Sequence, residues 1–118
     1  MPSSLDALSR PHLAGLFLAL ALVSPACLAD DMPTYQLTIK GGRLFPETLE
    51  VPANTKFRLQ VKNEGPGAAE FESTELKKEK VLAPGVSSNV IFQPLKPGTY
   101  RFFDEFHLDT AQGRIVAK

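Results

Sequence analysis

PGTYRFFDEFH, residues 97–107, is the stretch on which the fold prediction depends, because it combines a Pro-Gly turn, a strand and an acidic loop. Side chains of a strand alternate between its two faces, so Tyr100, Phe102 and Asp104 share one face. Two aromatic side chains predict that this face points into a core. Asp104 then ends an apolar row, where a carboxylate needs a cation, a hydrogen-bond donor or water. With His107 three residues later, the loop is a candidate metal site at the open end of a sandwich.

The same alternation recurs along the rest of the chain. Leu37 and Ile39 alternate with polar residues, and so do Leu59 and Val61. Turns rich in Gly and Pro separate these short segments, a spacing typical of β-sandwiches. The sequence therefore predicts a single all-β domain, an antiparallel Greek-key β-sandwich. Only Thr74–Lys80 has a pattern compatible with a helix, and its charges place it on the surface.

The N-terminal residues 1–29 have the pattern of a secretory signal peptide. The apolar run Leu13–Val23 ends in small residues before Asp30. This run is short for a membrane span, although an uncleaved anchor and a lipoprotein cysteine at Cys27 are alternatives. We therefore expect a signal peptide at 1–29 and a periplasmic domain at 30–118, with no membrane span after cleavage.

Composition argues against several classes of function. Lys and Arg total 13, as do Asp and Glu, and this balance gives no reason to expect nucleic acid as a partner. The one cysteine precedes residue 30, so the domain has neither a disulfide nor a thiol nucleophile. The sequence has no nucleophile elbow, phosphate loop or zinc-binding histidine pair. We therefore expect a binding protein and not an enzyme.

Six short segments follow one another in a distinctive order and spacing. They are 45–53 (FPETLEVPA), 61–65 (VKNEG), 68–72 (AAEFE), 83–85 (APG), 96–100 (KPGTY) and 113–116 (GRIV). In this order the domain resembles the cupredoxins over almost its whole length. The resemblance is nearest to the cupredoxin domain of EfeO-type periplasmic iron-uptake proteins and to stand-alone cupredoxins associated with iron permeases. It implies the same cupredoxin-like Greek-key sandwich.

The positions that hold copper in electron-transfer cupredoxins are changed in this chain. A blue-copper site uses two histidines, one cysteine thiolate and a weak axial methionine. The resemblance puts Ala69 at the first histidine and Asp104 at the cysteine, and residues 109–113 contain no methionine. Only His107 matches a ligand of that kind. Because the thiolate is absent, we expect no blue-copper centre.

The remaining ligand candidates are mostly carboxylates. They are Asp104 and His107 at the centre, Glu70, Glu72 and Glu105 around them, and Asp109 and Glu79 as further candidates. Oxygen ligands with one imidazole suit Cu(II) or an iron ion. The alternatives are a solvated strand face for Glu70 and Glu72, a structural acceptor role for Asp104 and a solvent-exposed imidazole for His107. The run Lys77–Lys80 favours a solvated face for Glu79.

The resemblance implies a periplasmic metal-binding protein that is an accessory of high-affinity iron uptake, with or without the help of copper. Its partners would be an iron permease or other periplasmic iron-uptake components. Two alternatives stay open: a metal-free interaction module that docks onto a permease or a redox partner, and a periplasmic copper-handling protein. Methionine clusters usually hold Cu(I), and the domain has only Met32, which argues against the last of these.

Overall fold

Nine strands and one short 3₁₀ helix make up the part of the chain that the computed structural model describes, residues 32–118. The strands are β1 Thr34–Lys40, β2 Arg43–Phe45, β3 Thr48–Val51, β4 Phe57–Asn63, β5 Ala69–Ser73, β6 Lys78–Leu82, β7 Ser87–Phe92, β8 Gly98–Phe103 and β9 Gln112–Ala117. The 3₁₀ helix, Glu105–His107, lies between β8 and β9. The predicted signal peptide lies outside the described residues. Within residues 32–118, no helix is long and apolar enough to cross a membrane.

The strands form two sheets that enclose one core. One sheet has the order β2-β1-β4-β7 and the other the order β3-β9-β8-β5-β6. Buried residues of both sheets belong to a single cluster, which confirms the predicted single all-β sandwich. However, β1 pairs with β4 and β3 with β9 in parallel, so the antiparallel expectation is wrong for these pairs. Parallel neighbours need a crossover connection, and between β1 and β4 the chain makes one by contributing β3 to the other sheet.

A row of phenylalanines crosses the core from one sheet to the other. Phe57 stacks on Phe92 with ring centroids 4.8 Å apart. Phe71 contacts Phe92 at 6.2 Å and Phe102 at 5.2 Å. Such pairs contribute roughly 0.5–1.5 kcal/mol each beyond the area they bury. Because Phe71 points into this row, its strand neighbours in β5 point to the opposite, outer face of the second sheet.

The segment Thr74–Lys80 contains no helix, which corrects the one helical candidate of the sequence. It consists of a turn followed by the start of β6, which pairs with β5 along its whole length. Lys77, in the turn, has a left-handed backbone with φ of 56°, a conformation that cannot continue a right-handed helix. Pairing across the sheet outweighed the local pattern here.

The end of β8 agrees with the parity deduced from the sequence. Phe102 is buried, and Tyr100 packs against the core while its hydroxyl donates to the carbonyl of Lys96 at 2.7 Å. Asp104, one residue beyond the strand, is 0% exposed. The apolar row therefore ends in a fully buried carboxylate, as the alternation predicts.

Candidate metal centre

Three glutamates of the neighbouring strands β5 and β6 gather on the outer face of the second sheet. Glu70 and Glu72 are two residues apart in β5, and Glu79 of β6 lies directly opposite Glu72. One carboxylate oxygen from each lies within 4.8 Å of the others. We call these three residues the carboxylate cluster. Their spacing allows all three to contact one metal ion.

Glu70 is the buried member of the cluster. It is 2% exposed, whereas Glu72 is half-buried and Glu79 exposed. One oxygen of Glu70, Oε1, and the corresponding oxygen of Glu72 have no hydrogen-bond partner among the described residues. Buried polar atoms are nearly always satisfied, so an unpaired oxygen among acids points to a cation or water.

Within residues 32–118, no ion pair involves a carboxylate of the cluster. The ion pairs within residues 32–118 join His107 to Asp104 and Lys118 to Glu50. The lysines that flank Glu79 in β6 point to the other face of the strand by alternation, and Lys78 places its Nζ 5.7 Å from the ring centre of Phe92. Within residues 32–118, the carboxylates therefore face one another without a compensating cation.

Burial, together with the crowding of like charges, raises the pKa of two members of the cluster. Burial raises the pKa of Glu70 to about 8, with further contributions from a hydrogen bond to Glu79 and from the charges of Glu105 and Glu72. Burial also raises the pKa of Glu72, followed by the charge of Glu79 and the proximity of Glu105. In both cases the physical cause is the cost of placing a negative charge out of water and beside like charges. A metal cation would remove that cost.

Glu105 reaches the cluster from a different element. It begins the 3₁₀ helix, which packs against β5, and its side chain is exposed. Its charge raises the pKa of both Glu70 and Glu72. Because β8 ends before Glu105 is reached, strand alternation does not set the direction of its side chain. Glu105 is therefore a fourth carboxylate at the edge of the cluster.

Asp104 and His107 contact each other, at 2.9 Å between Oδ2 and Nδ1. The other oxygen of Asp104, Oδ1, accepts from the backbone amides of Phe106 at 2.9 Å and Glu70 at 3.1 Å. Both oxygens of Asp104 thus already have protein partners. The imidazole of His107 is 41% exposed. The structure therefore joins Asp104 to the backbone of Glu70, while the Glu70 carboxylate belongs to the separate cluster.

A cavity of about 270 Å³ lies beside His107 and Ala69. Its wall also contains Gly42, where a Cβ atom would lie only 2.9 Å from the His107 ring. Ala69 and Asp104 occupy the positions that the family resemblance assigns to histidine and cysteine ligands, and neither supplies an imidazole or a thiolate. This donor set does not fit a blue-copper ion.

Glu79 is the residue whose role the sequence indicated least. Its neighbours Lys77, Lys78 and Lys80 favour a solvated face, and only its position opposite Glu72 brings it to the cluster. The sequence feature that could have indicated this role is the alternation of β6. It places Glu79 on one face of the strand and its neighbours Lys78 and Lys80 on the other. Asp109, the other secondary candidate, is exposed in the loop after the 3₁₀ helix and outside the cluster.

Comparison with known proteins identifies relatives by sequence. The model of a family described as a cupredoxin-like domain matches residues 12–117. An uncharacterised protein of Rickettsia prowazekii (strain Madrid E) is 45% identical over 87 residues, which cover 74% of this chain and 70% of that protein. The family match spans nearly all of the sandwich.

Solved structures share the fold at low sequence identity. Auracyanin B has a TM-score of 0.62 at 17% identity, over 75% of this chain and 92% of that one. Reduced auracyanin from Roseiflexus castenholzii has a TM-score of 0.62 at 14% identity, over 75% and 99%. The metal-binding domain of the Cu(I)-exporting ATPase CopA of Streptococcus pneumoniae D39, solved with Cu(I), has a TM-score of 0.61 at 12% identity, over 72% and 84%.

Proposed function

Because this chain belongs to the cupredoxin-like domain family, we propose that it is a periplasmic metal-binding protein that serves iron uptake and holds its ion at the carboxylate cluster. The observation that carries this proposal is Glu70, whose carboxylate is buried among other acids and has one oxygen with no partner in the described part of the chain. We propose a binding role and not an enzymatic one.

The energetics of the cluster favour a bound cation. A buried carboxylate without a partner costs several kcal/mol unless it is protonated or paired. Glu70 and Glu72 face Glu79 and Glu105, so the protein itself supplies repulsion where compensation is needed. A di- or trivalent ion among these oxygens would reverse the sign of the interaction, since it is attracted to every one of them.

The donor set selects the class of metal. All members of the cluster, and Glu105 beside it, supply carboxylate oxygen, which suits hard or borderline ions and not Cu(I). An iron ion fits this set, as does Mn(II). Cu(II) fits less well than the sequence suggested, because the cluster holds only carboxylates and the one imidazole, His107, lies outside it beside Asp104.

The pathway is inferred from the resemblance of the segment that carries Glu70 and Glu72. Ala68–Glu72 is the piece that resembles most nearly the cupredoxin domain of EfeO-type periplasmic iron-uptake proteins. We propose that the protein holds the metal for an iron permease or another periplasmic component of iron uptake. A docking module that binds no metal would use the same fold, and metal titration separates it from this proposal.

The decisive experiment titrates the purified protein with Mn(II) and with Fe(II) under anaerobic conditions, using isothermal calorimetry. We expect one ion per chain. Glu70→Gln and Glu79→Gln should each weaken binding by about ten- to hundredfold, comparable to the loss on changing groups around a metal site. Glu64→Gln is the control, since Glu64 is exposed in a turn. Absence of binding by the parent, or binding by both glutamine variants as tight as that of the parent, would contradict the proposal.

A further inference from the structure

Asp104 has a hydrogen-bonding pattern that ties two parts of the carboxylate site together. Strands β5 and β8 are antiparallel and pair at Glu72 and Phe103. Just past the end of β8, a side-chain oxygen of Asp104 takes the place of a backbone carbonyl. It accepts a hydrogen bond from the backbone amide of Glu70 at 3.1 Å. The same oxygen accepts a hydrogen bond from the backbone amide of Phe106 at 2.9 Å, because Asp104 is the N-cap residue of the 3₁₀ helix. One oxygen atom therefore joins the backbones of β5 and the 3₁₀ helix.

These two backbones carry the acids that must approach each other. Glu70 donates its own amide to Asp104, and Glu105 precedes the other donor, Phe106. The distance between Glu70 and Glu105 thus depends on the shared oxygen of Asp104. Loss of that oxygen would leave two amides without an acceptor and remove this link between the 3₁₀ helix and β5.

The side chain of Asp104 lies on the other side of the sheet from the cluster. Phe103 is paired with Glu72 and so shares its outer face, whereas Phe102, the preceding residue, points into the core. Asp104 is fully buried, and both its oxygens are bound within the protein. Its burial on the opposite face of the sheet keeps Asp104 away from an ion held by Glu70, Glu72 and Glu79.

His107 completes the arrangement from the solvent side. Its Nδ1 lies 2.9 Å from Oδ2 of Asp104, which leaves Oδ1 to the two amides. The backbone amide of His107 also donates to the carbonyl of Asp104, at 2.9 Å, and its ring is held against Gly42. The side-chain and backbone contacts between His107 and Asp104 therefore fix the orientation of the Asp104 carboxylate.

We propose that Asp104 is a positioning residue of the metal site and not a ligand, and that His107 holds it in that orientation. This inference rests on the proposed metal binding at the carboxylate cluster. The sequence placed Asp104 and His107 at the centre of the site. In this inference they support the ligands and do not bind the ion.

Asparagine and alanine at position 104 separate the two roles. Asparagine keeps an acceptor oxygen for the amides of Glu70 and Phe106, and its NH₂ group can donate to the imidazole. Mn(II) affinity should therefore stay within about threefold of the parent in Asp104→Asn but fall about ten- to hundredfold in Asp104→Ala. His107→Ala should weaken binding less than Asp104→Ala. Asp109→Asn, in the exposed loop, is the control.

A spectroscopic measurement excludes a merely structural explanation. Electron spin-echo modulation of the Mn(II) complex detects nitrogen bound to the metal. We expect no imidazole nitrogen coupling in the parent protein or in Asp104→Asn. A nitrogen coupling that disappears in His107→Ala would make His107 a ligand and overturn the inference. So would equal losses of affinity in Asp104→Asn and Asp104→Ala, or no loss in either.

The result is distinguishable from failure of the proposed function. If Glu70→Gln binds Mn(II) as the parent does, the carboxylate cluster is not the site. If Glu70→Gln loses affinity while Asp104→Ala keeps it, the cluster is the site and the positioning role is wrong. Should Asp104→Ala fail to fold, Asp104→Asn, His107→Ala and the nitrogen coupling still decide between ligand and support.

Discussion

Glu70 lies in β5 with a carboxylate that is buried, surrounded by like charges and incompletely hydrogen-bonded. A group of this kind destabilises the metal-free protein whenever it is ionised, yet ionisation is what a metal ligand requires. Removing the charge of Glu70 should therefore stabilise the metal-free protein and weaken its binding of metal. Conflicts of this kind are typical of functional sites.

Replacing Glu70 by glutamine tests that opposition at pH 8. The amide cannot ionise, so Glu70→Gln should unfold at a higher temperature than the parent without metal. The same variant should bind Mn(II) more weakly. Thermal unfolding followed by circular dichroism, with and without metal, measures both effects. A metal-free variant that is less stable than the parent would show that the Glu70 charge is compensated within the protein.

The pKa of Glu70 also determines how stability depends on pH. Its pKa is 4.5 as a reference and about 8 in the folded protein, so the folded state binds more protons than the unfolded state between these values. Stability of the metal-free protein should therefore fall as the pH rises from about 4.5 through 8. Urea unfolding at pH 5, 6.5 and 8 checks the slope, and Glu70→Gln should flatten it. A rise in stability over this range would contradict the shift.

At the level of strands, β5 and β6 place like charges directly across from each other. Glu72 faces Glu79 in an antiparallel pair, an arrangement that is normally unfavourable. β6 is also an edge strand, whose pairing determines where its side chains lie. The cluster is therefore a property of the strand pair and not of either strand alone.

Reversing one charge of the Glu72 and Glu79 pair should stabilise the sheet and abolish the proposed metal site. Glu79→Lys sets an ammonium opposite Glu72, which should stabilise the metal-free protein by roughly 0.2–1 kcal/mol. Mn(II) binding should be lost, because a cation now occupies the place of the ion. Glu64→Lys, in the exposed loop between β4 and β5, makes the same change of charge away from the pair and is the matched control. Unfolding curves and calorimetry give the two readings, and retained Mn(II) binding by Glu79→Lys would rule out Glu79 as a ligand.

Close packing between strands predicts a different outcome at Gly113 in β9. A Cβ atom there would lie 2.7 Å from the carbonyl oxygen of Glu47 and 2.7 Å from the Phe102 ring. Gly113→Ala should therefore destabilise the protein by roughly 1–3 kcal/mol, the usual cost of overpacking. Gly67→Ala, with nothing within 4 Å of its Cβ position, is the control. Equal urea midpoints for the two variants would refute the predicted clash.

For the whole molecule, the sandwich core supports the strands that carry the proposed metal site at the edge of the second sheet. The aromatic row across the core holds Phe71, and through it the strand that carries Glu70 and Glu72. A ligand that binds only the folded state adds stability, roughly 2.7 kcal/mol at a concentration a hundred times its dissociation constant. Metal binding should therefore raise the unfolding temperature of the parent and leave the Glu70→Gln/Glu79→Gln double variant unchanged.

The proposed role in iron uptake predicts a growth phenotype. Cells that lack this protein should grow more slowly under iron limitation, with little change in copper tolerance. The parent gene should restore growth, whereas the Glu70→Gln/Glu79→Gln double variant should not, because it would no longer hold metal. Restoration by the double variant would favour the metal-free docking module, and a defect confined to copper tolerance would favour the copper-handling alternative.

Local alternation was enough to predict the strands, the inward residues such as Leu37 and Leu59, and the burial of Asp104, because period two is a property of each strand by itself. The acids that meet could not be predicted in the same way. Glu79 joins Glu70 and Glu72 only through the register of β6 on β5, and a shift of one residue would bring its lysine neighbours instead. Tertiary pairing likewise separated Asp104 and His107 from the cluster, because contacts between strands depend on hydrogen-bonded register and on which sheet each strand joins.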